Sequence, residues 1–138
     1  MVKNQSGFKE IQHTADAALS VWADNLNELF KNSLKGMYQL IGISSNFTQE
    51  NDVIHIALQA EDTESLLVSF LSECLFFVLN KRLFLIPEEL EINDGMLNCK
   101  MQVISINKIN KEIKAVTFHN LRITNNKKGY KVIIVFDI

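Results

Sequence analysis

The sequence predicts an α+β fold: a single domain over residues 1–138, with two main helices packed on a mostly antiparallel β-sheet. Three observations predict it. Two segments carry apolar residues at helical spacing, whereas most of the others alternate at the strand period. The strand-like segments of the C-terminal half follow one another with only turn residues between them, as antiparallel neighbours do. Finally, 138 residues with 47% hydrophobic content contain no linker, repeat or low-complexity tract, so one core can be built without disulfides or a structural metal.

Residues 7–12 read as a short strand, and Leu19, Val21 and Ala23 alternate with Ser20 and Trp22 in a second. The period then changes: Leu26, Leu29, Phe30, Leu34, Met37 and Ile41 recur at helical spacing, behind a capping-box pair at Asn25 and Glu28. Residues 53–60 alternate again. Asp62 is a suitable N-cap for a second helix reaching about Asn80, and its wide apolar side predicts burial against a sheet. Residues 83–92 and 96–106 form a hairpin about Asn93, Asp94 and Gly95. Pro87, the single proline, falls inside the first of these strands. Two further strands, 113–124 and 130–136, flank a turn at 125–129. A parity change after Val116 and Phe118 predicts a bulge near His119 and Asn120.

Formal net charge is −2, from 14 basic and 16 acidic residues, which argues against strong direct nucleic-acid binding. The local basic spots, Lys127, Lys128 and Lys131, and Lys108, Lys111 and Lys114, read as solvated loop and strand edges. Cys74 and Cys99 lie on apolar faces, match no zinc spacing and read as reduced core thiols. The longest apolar run, residues 75–79, is followed by Asn80, Lys81 and Arg82, so no membrane span is expected. The first ten residues lack a secretory layout, and a cytoplasmic location is expected.

Two places carry potential chemistry. One is the polar run His13, Thr14, Ala15 and Asp16 between apolar strands; the other is the end of the chain, where an apolar strand runs into Asp137 and Ile138. If Asp16 approaches that end, it meets Asp137 and the terminal carboxylate, and such converging anions need protons or a cation. Oxygen-only ligation suits calcium, magnesium or manganese better than zinc. The plain structural alternative is a turn capped by Asp16 and a solvated strand end at Asp137. His13 reads as an orienting donor rather than a base, since no nucleophile stands near it in sequence. No catalytic triad, P-loop or glycine-rich fingerprint is present.

The segments FKEIQHTADAALSVW (8–22), LNELFKNSLKGMYQL (26–40), AEDTESLLVSFLSECLF (60–76) and KAVTFHNL (114–121), with the closing Asp137-Ile138, resemble the archease family in order and spacing. The resemblance implies metal ligands at Asp16, Asp137 and the main-chain carboxylate of Ile138, holding a divalent ion, Ca2+ before Mg2+ or Mn2+. It implies a non-enzymatic partner of an RtcB-type RNA ligase, promoting guanylylation and multiple turnover in tRNA splicing and RNA repair. A contribution from His13 or Lys114 is left open. Ala17 and Ala18 replace the family's usual aliphatic residue and glycine, and Ser69-Phe70 its frequent acidic residue and tryptophan. Two other readings remain: a small metal-dependent hydrolase with His13 as base, and a chaperone-like binding module whose carboxylates merely end a strand.

Overall fold

A computed structural model of the chain describes residues 6–12, 16–45, 52–118 and 120–138. The expected α+β architecture is present. Strands β1 (Gly7–Gln12) and β2 (Ala17–Ala23) form an antiparallel pair, followed by helix α1 (Leu26–Ile41). Asn25 caps α1 as its sequence position foretold, its side chain accepting the Glu28 N–H at 2.9 Å. After β3 (Ile43–Ser44) and β4 (Val53–Gln59) comes α2 (Thr63–Phe76), capped by Asp62 through the Ser65 N–H at 2.7 Å. Strands β5 (Leu83–Asn93), β6 (Met96–Ser105), β7 (Lys108–Ile109), β8 (Ala115–Thr117), β9 (Thr124–Asn126) and β10 (Gly129–Asp137) complete the order.

The larger sheet runs β1-β2-β10, with β8 and β9 sharing the far edge of β10; a second sheet runs β4-β6-β5, and β3 pairs with β7. Every ladder among the described residues is antiparallel. Helix α1 packs on β1, β2 and β10 and also touches β5, while α2 packs on β4, β5 and β8. Leu19, Val21, Val132, Ile134 and Phe136 therefore face the helices and are buried. Phe30 and Phe70 join the two helices with ring centroids 5.9 Å apart. Gly36 lets α1 approach closely, because a Cβ there would lie 2.7 Å from the Leu19 side chain.

Four local differences have physical causes. The helix that begins at Thr63 continues through a π turn to Lys81, giving 19 residues with an 18-residue window of mean hydropathy 1.4, long and apolar enough to cross a bilayer. The expectation that nothing approaches that length is thus corrected, although Leu66, Leu67, Phe70, Leu71, Cys74 and Val78 make this the core helix. The single strand expected over 113–124 is two short strands, β8 and β9, each pairing with a different stretch of β10; Asn120, at φ 53°, turns between them. The turn expected over 125–129 is shorter for the same reason, since β9 reaches Asn126. The β3–β7 pair, two residues a side, has no counterpart in the sequence pattern.

β5 is an edge strand, which explains why Pro87 is tolerated: the register shifts between Pro87 and Glu89, and the missing N–H interrupts only the edge. Tyr38 on α1 occupies part of that edge. Its hydroxyl donates to the Leu85 carbonyl at 2.8 Å and accepts the Leu85 N–H at 3.0 Å, and Asn27 donates to the Leu90 carbonyl at 2.9 Å.

Candidate metal centre

The β2–β10 register sets the candidate site. The β2–β10 ladder closes on Phe136 and Ala17, both buried, so Asp137 and Asp16 are the residues that flank its last rung, one on each strand. Both side chains then have the outward parity: Asp137 is exposed and Asp16, in a bend just before β2, is half-buried. Like charges on neighbouring strand ends destabilise the pairing when their Cβ atoms approach about 4.5–5.5 Å, unless something neutralises them.

The other edge of β10 holds the end of the chain. Asp137 pairs with Ala115 in β8, and the Lys114 N–H donates to the Asp137 carbonyl at 2.7 Å. The main chain of Asp137 is thus fastened on its β8 side, while the β2 ladder closes one residue earlier at Phe136, and Ile138 follows directly, 37% exposed. A shallow groove between Leu75, Phe76, Leu79 and the Lys114 to Val116 segment runs beside it.

Of the residues singled out in the sequence, Asp16, Asp137 and Ile138 are brought to one end of the larger sheet, with Lys114 alongside. His13 and His119 lie outside the described residues. His55 is exposed on β4, opposite Lys100 and in the other sheet. Among the described residues no three His, Cys, Asp or Glu side chains gather closely enough to enclose a cation. The donor chemistry fits a hard divalent ion, because it is all oxygen. What sequence reasoning missed is the Lys114 N–H, whose part follows from the β8–β10 register alone.

Cys74 and Cys99 are both free and buried, as expected. The Cys99 Sγ lies 3.0 Å from the Met101 Sδ on the same face of β6.

The sequence model of the archease protein family (MTH1598/TM1083) matches residues 8–138. Protein archease of Archaeoglobus fulgidus is 30% identical over 136 residues, covering 95% of this chain and 98% of the relative. Protein archease of Methanosarcina barkeri is 32% identical over 141 residues, covering 95% of each chain. The solution structure of Methanobacterium thermoautotrophicum protein 1598 shares the fold at a TM-score of 0.73 and 24% identity, over 96% of this chain and 99% of that one. The crystal structure of an "archease, possible chaperone" from Thermotoga maritima does so at 0.67 and 23%, over 94% and 96%. These define the class: small α+β proteins with two helices set against antiparallel sheets. The chain belongs to the archease family.

Proposed function

We propose that the chain is a cytoplasmic, metal-binding accessory protein that activates an RtcB-type RNA ligase, promoting its guanylylation and multiple turnover in tRNA splicing and RNA repair. It is not itself the catalyst. Family membership supports the reading, and one observation supports the site: the β2–β10 ladder closes on Ala17 and Phe136, so Asp16 and Asp137 flank its end. In this reading Asp16, Asp137 and the Ile138 carboxylate hold a divalent ion, Ca2+ before Mg2+ or Mn2+. Such an ion would offset charge on the phosphates of a guanylylation reaction. The chain's own contribution is to position: β2 and β8 clamp the last residues of β10, so the carboxylates are held out from the sheet end.

The test mixes the purified protein with the ligase, GTP and divalent metal, and measures joined RNA per ligase molecule. Wild-type protein should raise that yield well above one; Asp16→Ala and Asp137→Ala should not, while circular dichroism shows both folded. No rise with wild-type protein would remove the proposal. A second reading, a chaperone-like module, draws on the words "possible chaperone" attached to the Thermotoga relative. It predicts no calorimetric binding of calcium or manganese and a gain in soluble ligase that survives Asp16→Ala.

A further inference from the structure

The larger sheet turns one face to the helices, and the outward positions of β1, β2 and β10 face away from them. At one end of that outer face is Trp22, the only tryptophan in the chain and 36% exposed. A tryptophan is an unusual occupant of the outward parity when Leu19, Val21 and Ala23 fill the inward one. Its indole leans over Gly7 on the neighbouring strand, where an added Cβ would lie 2.9 Å from the ring. The bare backbone at Gly7 thus leaves room for the ring against the sheet.

Cations bracket this ring. Lys131 on β10 is directly opposite Trp22, and Lys9 on β1 is opposite Ser20, one diagonal step from Trp22. Ile133, 44% exposed, extends the apolar surface beside Ser20. Within the three strands the only acid on the outward parity is Asp137 at the far end; Asp24, exposed just past β2, and Asp16, just before it, flank the strand. In a protein of net charge −2, an aromatic ring with a lysine on each neighbouring strand is a local reversal of sign. Anions with a flat π-face, joined by phosphates, are complementary to that pattern; a duplex hides its base faces and is not.

We propose that this face binds single-stranded nucleic acid, with one base stacked on Trp22 and flanking phosphates at Lys9 and Lys131. The binding is weak and salt-sensitive, in keeping with the overall charge, and it does not depend on the carboxylate end or on any ligase.

Trp22 supplies its own signal. A uridylate dodecamer titrated at low salt should quench the tryptophan fluorescence, with a log K against log salt slope of about −1.4, from two phosphate contacts at about −0.7 each. Trp22→Leu, followed by anisotropy of a labelled oligomer, should weaken binding roughly five- to hundredfold, as loss of one base stack does. Trp22→Phe should recover most of it. Lys131→Glu tests the same face at an exposed position without touching the ring, and should abolish the quench. Three results would overturn the proposal: no quench, equal binding by the matching duplex, or equal binding by polyglutamate, which would make the face a site for acidic protein.

Discussion

Asp62 shows how one side chain can fix where an element starts. It accepts hydrogen bonds from Ser65, the side chain contributing most and the N–H next, and these hold its carboxyl below the usual carboxylate value. The folded state therefore takes up the proton less readily than the unfolded chain, so the cap's contribution is complete above the unfolded pKa and is lost as pH falls through the folded one. Asp62→Asn keeps an acceptor but cannot titrate. Its urea midpoint should differ from wild type at neutral pH, and the two should converge in acid. Both N-caps, Asn25 and Asp62, were legible in the sequence because capping depends on residues three apart. The thiols were legible for a similar local reason: each sits on the buried parity of its own element. Burial pushes Cys74 far above an ordinary thiol; it pushes Cys99 from 9.0 to about 11, with the charge of Lys31 opposing it. Since the thiolate is the nucleophile, neither should react quickly with Ellman's reagent at mildly alkaline pH until guanidinium unfolds the chain.

At the scale of elements, legibility followed length and turn chemistry. The β5–β6 hairpin could be read because a two-residue turn demands positive φ at both positions, and Asp94 and Gly95 supply φ 47° and 75°. A Cβ on Gly95 would also lie 2.5 Å from the Ala60 carbonyl oxygen, so Gly95→Ala should lower the melting temperature through strain and contact together. Strands β8 and β9 could not be separated in advance, because three residues are too few to display a period and their bounds are set by what β10 offers. The protection of the β5 edge by Tyr38 was equally hidden, since 47 residues separate the partners. Burial raises the Tyr38 hydroxyl well above its usual pKa, with the nearby Cys74 thiol adding to the effect, so it remains a donor throughout the neutral range. Tyr38→Phe would leave the Leu85 N–H and carbonyl without that partner. Denaturant unfolding should show a loss of about 1–3 kcal/mol.

At the scale of the whole molecule, the outer sheet face has two chemically opposed ends joined by β10. Lys131 and Asp137 are six positions apart on that strand, about 20 Å at the usual rise. The acidic end was only half legible: residue types and family resemblance named Asp16, Asp137 and Ile138, but the register that brings them to one end of the sheet joins distant parts of the chain. The Trp22 end was passed over because Lys127, Lys128 and Lys131 looked like a solvated turn, and nothing local tied Lys9 to them. The third proposed donor is where these arguments can be tested most sharply, because a main-chain carboxylate belongs to no side chain and cannot be removed by ordinary substitution. Appending a short Gly-Ser tail after Ile138 converts that carboxylate into a neutral amide and leaves β10, its pairing with β2 and β8, and the exposed Ile138 side chain in place. The tailed protein should melt at the same temperature as the untailed one without metal. It should lose most of the calorimetric signal with calcium or manganese and the rise in melting temperature that a bound ion confers. Unchanged ion affinity in the tailed protein would restrict the centre to the Asp16 and Asp137 side chains and whatever else lies beside them.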